Sequence, residues 1–252
     1  MNYSCRFLVI LAISVSTGSH PAICQDVATS PAKPEIKFAI PDTDESLIGE
    51  GPMRRADWFR DTWNERRSDF EKQVDKDQKS VVFFGDSITQ GWNNRLAASF
   101  PDMKVANRGI SGDTTRGMLN RFQDDVLDLY PTGLVMLMGT NDLEEHAEPE
   151  VIARNISKIV DMAKSYDSKM PVILCLVMPS SESKSRPSAK IKQVNQLCLD
   201  LAKLHPQVMV LDTWSLFAGP DGDAKKEEFP DLLHPNEAGY AKWAAALQPA
   251  FA

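Results

Sequence analysis

The sequence predicts an α/β fold, a three-layer α/β/α sandwich built on a five-stranded parallel sheet. Five short apolar runs recur after Ser80, and each is followed by a stretch whose apolar residues step by three or four. None of the runs alternates polar with apolar residues, as a strand with one wet face would. Continuous apolar strands alternating with one-sided helices belong to a parallel sheet covered on both faces.

The elements follow in chain order. Arg6 precedes an apolar run, Phe7 to Val15, that fades into small and polar residues near Ala22 to Gln25. Residues 1–24 are therefore expected to be a signal peptide, which implies a secreted or periplasmic protein. The run is shorter than the ~20 apolar residues a membrane-spanning helix needs, so no stable membrane insertion is expected. Cys24 follows Pro21-Ala22-Ile23, a poor lipoprotein signal. Residues 25–52 carry Pro31, Pro34, Pro41 and Pro52 among polar residues without apolar period, which predicts an extended linker. The domain then spans 53–252. It opens with a flanking amphipathic helix over about 54–78, on which Phe59, Trp63, Phe70 and Val74 recur at helical spacing. Trp58 and Trp63 read as core anchors rather than ligand-stacking residues.

The predicted strands are Val81 to Phe84, Met103 to Ala106, Leu134 to Met138, Val172 to Met178 and Val208 to Leu211. Helical patterns separate them: Leu119, Phe122, Val126 and Leu129; then Ile152, Ile156, Ile159, Ala163 and Tyr166; then Ile191, Val194, Cys198 and Leu201. Asn236 reads as the N-cap of a last helix ending near Gln248. In open parallel sheets the ligand site lies beyond the carboxyl ends of the strands. The loops at 85–87, 107–113 and 139–142, and the segment leading to His234, should therefore open on one rim.

With 252 residues, 42% of them hydrophobic, the chain can bury one full core. Its net charge of −7 carries no basic stripe, so nucleic acid is not an expected partner. Cys175 and Cys198 sit in a strand-like and a helix-like run and read as buried thiols, not as a disulfide framework.

A serine hydroxyl needs a base to take its proton, a carboxylate to orient that base, and donors for the oxyanion. Ser87 follows a strand and a Gly-Asp pair that can turn the chain sharply. Asp231 lies three residues before His234, close enough for one turn to bring both side chains together. His20 is in the leader, His205 precedes Pro206 and His146 follows a charged loop, which leaves His234 as the base. A metal site could be drawn from Asp86, Asp142, Asp231 and His234. Zinc sites usually take several His or Cys ligands, so neither metal nor cofactor is expected.

Four separated motifs, in order, resemble those of the SGNH hydrolases, also called GDSL-like lipases and acylhydrolases. They are Gly85-Asp86-Ser87-Ile88-Thr89, Asn107-Arg108-Gly109-Ile110-Ser111-Gly112-Asp113, Gly139-Thr140-Asn141-Asp142 and Asp231-Leu232-Leu233-His234-Pro235. Within the family the wording comes nearest to the catalytic subunits of platelet-activating-factor acetylhydrolase and to bacterial esterases similar to them. The resemblance spans roughly residues 80–248 and implies a flavodoxin-like SGNH hydrolase fold. It also implies Ser87 as nucleophile, Asp231 and His234 as its partners, and an oxyanion hole made by the Ser87 and Gly112 N–H groups and the Asn141 amide. Ser111 stands where the mammalian subunits have the first of two adjacent glycines. Arg116 is expected to cap the helix surface rather than enter the pocket.

The expected activity is hydrolysis of a small acyl ester, O-acetyl foremost, on a carbohydrate or similar polar substrate. The motif-bearing core has little inserted sequence that could form a deep lipid channel, no large apolar lid is evident, and the loop Ser180 to Ser188 is polar. An acyltransferase using the same triad and a non-catalytic carbohydrate-binding domain are the alternatives.

Overall fold

The computed structural model describes residues 37–251. The expected leader, with Cys5, His20 and Cys24, and the first part of the expected linker lie outside the described residues.

The first helices are α1 (Asp57–Lys72) and α2 (Val74–Asp77), followed by β1 (Val81–Gly85), α3 (Ser87–Gln90), α4 (Arg95–Ser99) and β2 (Val105–Gly109). Next come α5 (Thr115–Asp125), β3 (Gly133–Leu137), α6 (Thr140–Glu144), α7 (Pro149–Tyr166), β4 (Val172–Cys175), α8 (Ser188–Leu204), β5 (Val208–Leu211), α9 (Thr213–Phe217) and α10 (Glu237–Leu247). The five strands are parallel, in the order β2-β1-β3-β4-β5. This is the flavodoxin-like order.

Strand residues alternate between two cores because successive side chains point to opposite faces. Val82, Phe84, Leu134, Met136, Val172 and Leu174 meet the apolar stripes of α5, α7 and α8. Phe83, Val135, Leu137, Ile173 and Cys175 meet α3, α4, α9 and α10, where Trp92 and Trp243 are fully buried. Trp92 stands 5.1 Å from Trp243 and 4.9 Å from Tyr240, ring centre to ring centre. Such aromatic pairs contribute ~0.5–1.5 kcal/mol beyond their buried area. Cys175 and Cys198 are buried and unbridged, and burial pushes both thiols up to about 12, so they serve as small apolar groups.

The second strand lies further along than its apolar residues suggest, at Val105–Gly109 instead of Met103 to Ala106. Asn107 and Arg108 disguise it, since both are polar yet bonded within the fold. Asn107 donates to the Thr89 carbonyl, while Arg108 pairs with Asp77 at 2.8 Å and lies over Phe70. The flanking helix also breaks, at Gln73, into α1 and α2. Among the described residues, no helix is long and apolar enough to cross a membrane.

Residues 37–52 contain no helix or strand, but they do not form a free linker. Ile40 joins Met53, Phe59, Trp63, Phe70 and Ile110 in a third apolar cluster, with Phe38 and Leu47 packed on it. Asn155 accepts from Glu50 N–H and donates to its carbonyl, and Asn120 does the same for Ile48. The prolines and polar residues look like a tether in sequence because an irregular segment has no period by which its buried residues can be recognised.

Candidate active site

β1 ends at Gly85, and Asp86 then caps α3 by accepting from Ile88 N–H at 2.9 Å. Ser87 thus begins a one-turn helix at the carboxyl edge of the sheet. Chain connections diverge there, because β2 and β3 flank β1 on opposite sides, and such a switch point leaves a crevice for ligand.

Into this crevice the chain brings His234 from 147 residues away. Its Nε2 lies 2.9 Å from Ser87 Oγ and its Nδ1 lies 2.7 Å from Asp231 Oδ2. Asp231 also folds the turn that carries both residues: its Oδ1 accepts from the backbone N–H of Leu233 and of His234. Between them Leu232 takes a left-handed φ of +63°, and Ser180 Oγ–H holds its carbonyl at 2.8 Å. Partial burial works to raise the Asp231 carboxyl. The His234 backbone N–H, the His234 ring and the Leu233 N–H outweigh it and bring the group down to about 2. Asp231 is therefore ionised at any working pH and favours the tautomer with its proton on Nδ1. Asp86 differs: full burial pushes its carboxyl up to about 6, against the pull of Ile88 N–H and of His234.

The facing wall comes from the loops after β2 and β3. Gly112 has φ of +84°, a conformation L side chains avoid, and a Cβ there would lie 2.4 Å from the ring of Trp58. Ser111, where the motif departs from a glycine pair, has a job of its own. Its N–H and its hydroxyl both donate to Gln90 Oε1, at 2.7 and 2.9 Å, which pins the loop to α3. Gly139, at φ of +114°, turns the chain into α6 so that Asn141 points back at the crevice. Asn141 Nδ2 donates to the Asp113 carbonyl at 2.9 Å, and its Oδ1 accepts from Arg186 Nη2 at 3.2 Å. Those two bonds fix which end of the amide is which and leave the second Nδ2 hydrogen unspent.

Below this surface, buried polar contacts lock the loops to one another. Asp142 accepts from Thr115 N–H and Oγ1–H, and Asp113 pairs with Arg121 at 2.7 Å. Arg121 also donates to the Gly85 and Arg108 carbonyls. Removing one partner of a buried pair of this kind costs ~3–5 kcal/mol.

Ser87, Gly112, Asn141 and His234 line one cavity of about 530 Å³. All the residues named as triad and oxyanion donors from the sequence converge there or, like Asp231, bond directly to a residue that does. Three further contributors escaped the sequence reading. Arg186 is buried and orients Asn141, Gln90 pins Ser111, and Trp58 is 52% exposed at the cavity wall. Trp63 anchors the core as expected, whereas Trp58 corrects the expectation made for it: five residues earlier, well round the helix from Trp63, it turns outward and sits under Arg54, 5.4 Å away. Arg116 is corrected too. It neither caps the helix surface nor lines the cavity, but lies buried and donates to Asp44 and the Gly51 carbonyl, which ties residues 44–51 to α5. Among the described residues no three His, Cys, Asp or Glu side chains converge on a metal-sized site.

Comparison with known proteins follows the same lines. Residues 83–242 match the family model described as the GDSL-like lipase/acylhydrolase family. The human platelet-activating factor acetylhydrolase IB subunit alpha2 is 30% identical over 208 residues, covering 81% of this chain and 85% of that protein. The rat alpha1 subunit is 27% identical over 173 residues, covering 68% and 74%. The crystal structure of a GDSL-like lipase from Bacteroides thetaiotaomicron superposes with a TM-score of 0.63 at 26% identity, covering 73% of this chain and 97% of that one.

Proposed function

The chain belongs to the GDSL-like lipase/acylhydrolase family, and on that premise we propose that it is a serine esterase for small acyl groups, O-acetyl foremost, on carbohydrate or similar polar substrates. The observation that carries this reading is the 2.9 Å contact between Ser87 Oγ and His234 Nε2. Ser87 Oγ attacks the ester carbonyl while its proton passes to Nε2, and Asp231 holds the Nδ1 proton and stabilises the imidazolium that forms. The carbonyl oxygen takes up negative charge facing the Ser87 and Gly112 N–H groups and the spare Asn141 Nδ2 hydrogen. Collapse breaks the C–O bond, and His234 returns the proton to the departing alcohol. Water, deprotonated by the same imidazole, then cleaves the acyl-enzyme and frees Ser87.

Trp58 supports a small acyl group, because its ring edge stands against Gly112 where an acyl chain would extend. The rim supports a polar alcohol portion: Arg54 is bound by Glu144 and Glu145, and Arg186 by Glu144. A panel of p-nitrophenyl esters tests the reading. Acetate is expected to outrun hexanoate, and Trp58→Ala to raise the hexanoate-to-acetate ratio of kcat/KM about fourfold for each methylene newly admitted, the equivalent of ~0.8 kcal/mol. A variant whose ratio stays at the wild-type value would remove Trp58 from acyl selection, and no hydrolysis of any ester would remove the function.

The leader at residues 1–24 carries the further proposal that the enzyme works outside the cytosol. N-terminal sequencing of exported protein should begin near Gln25. A chain that retains Met1, or one bearing lipid on Cys24, would count against it.

A further inference from the structure

The cavity at Ser87 does not end at the triad. Ser87, Ser111 and His234 also border a second depression of about 390 Å³, which runs past Gln90, Asn93 and Arg95. Gln90 and Asn93 border in turn a third, of about 480 Å³, whose far side is Arg66, Gln73 and Lys76. Shared walls make the three one groove, leading from the nucleophile over α3 to the outer face of α1 and α2.

Its outer part carries the amide side chains of Gln73, Gln90, Asn93, Asn94 and Asn107 and the cations Arg66 and Lys76, set among apolar residues such as Phe70, Leu96 and Val105. Beyond the cavity at Ser87, whose rim carries Glu144 and Glu145, the one carboxylate that lines it is Asp77, paired with Arg108 at 2.8 Å. Arg66 spends only Nε, on the Gly109 carbonyl at 3.1 Å, and its guanidinium lies over Phe70. Neither Arg66 nor Lys76 forms an ion pair among the described residues, while adjacent Arg67 is held by Asp124 and Asp125. Burial, with the nearby charges of Arg121 and Arg108, holds the Arg66 guanidinium below its usual range against the pull of Asp69 and Glu65. A negative charge delivered by ligand would offset that cost. In a chain of net charge −7, the outer end of the groove thus presents two cations that form no ion pair among the described residues.

We infer that this groove binds an anionic oligosaccharide, with the esterified sugar at Ser87 and the carboxylate or sulfate of a neighbouring sugar on Arg66 and Lys76. Gln73, Asn94 and the amide nitrogen of Gln90 serve the hydroxyls between them, while Asn107 and Gln90 Oε1 are held by the fold, and the guanidinium fork can take an anion through two parallel N–H bonds. The inference rests on the esterase reading above and names the substrate class of that site.

The test compares wild type with Arg66→Gln/Lys76→Gln on O-acetylated polygalacturonate, O-acetylated xylan and p-nitrophenyl acetate. The ratio of kcat/KM on the acidic polymer to that on p-nitrophenyl acetate is expected to fall about tenfold or more in the double variant, as loss of charge-assisted bonds requires. The corresponding ratio for neutral xylan should move less than twofold. Calorimetry with galacturonate oligomers and the Ser87→Ala protein should show affinity that weakens with added salt, and that the two Gln substitutions weaken further. Unchanged ratios, or salt-independent binding, would overturn the groove assignment while leaving the esterase intact. Absence of p-nitrophenyl acetate hydrolysis by wild type would instead strike the esterase reading, and oligomer binding would then report on the groove alone.

Discussion

Ser87→Ala is expected to lower kcat on p-nitrophenyl acetate by about 10⁴-fold or more, with the protein still folded. Removing a nucleophile that acts as a unit with its base forfeits nearly all that the unit contributes, and only the oxyanion donors and substrate binding remain. Folding should survive, because Ser87 Oγ bonds only His234 Nε2 among the described residues and the cap on α3 belongs to Asp86. A sulfonyl fluoride should label wild type at Ser87, as peptide mapping would show, and leave the variant unlabelled. Labelling elsewhere, or undiminished turnover, would dismiss the nucleophile. The pH profile adds a constraint. Asp231, held at about 2, stays ionised across the working range and contributes no acid limb to kcat/KM. Asp86, raised to about 6 by burial, takes up a proton as pH falls through that value. Asp86→Asn keeps an oxygen for Ile88 N–H and removes that titration, so whatever part of the acid fall in kcat/KM the variant loses belongs to Asp86.

The second large effect falls on Asn141. Asn141→Ala is expected to reduce kcat by about 100 to 1,000-fold with little change in KM, the loss of one oxyanion donor at roughly 3 to 4 kcal/mol. Charge reaches the carbonyl oxygen only as Ser87 attacks, so a donor fixed in advance acts on the transition state and not on bound substrate. Asn141 is fixed by the Asp113 carbonyl and by Arg186, and those neighbours also govern the control measurement. Arg186 keeps the Thr140 carbonyl and hydroxyl, the Lys184 carbonyl and Glu144 when Asn141 is truncated. The melting temperature should therefore drop only modestly. A folded Asn141→Ala enzyme retaining more than about half the wild-type kcat would dismiss the three-donor hole, because a single transition-state bond should cost more. A variant that unfolds would be replaced by Asn141→Asp, which keeps the shape and an acceptor for Arg186 but presents charge to the oxyanion. It too should be slow.

What the sequence determined by itself is the part written in local period and local chemistry. Apolar runs bounded by turn residues marked the five strands, and the three-four steps of Ile152, Ile156 and Ile159 marked the helix that covers them. Asp231 and His234 were legible because they lie three positions apart, and Asn236 because a cap announces the helix it starts. The contributions that only the tertiary structure decided lack any such period. Arg186 lies 45 residues from the amide it orients, in a stretch that reads as polar loop. Residues 37–52 pack without helix or strand, and Arg116, which sequence places on a helix surface, is buried because that segment lies over it. Trp58 and Trp63 share one helix and one residue type, yet one anchors the core and the other walls the site. A side chain's spacing states which face of its own helix it occupies. What stands opposite that face, another helix, an irregular strap or open solvent, is set by chain that folds back from far away, and burial, charge and reach follow from that alone.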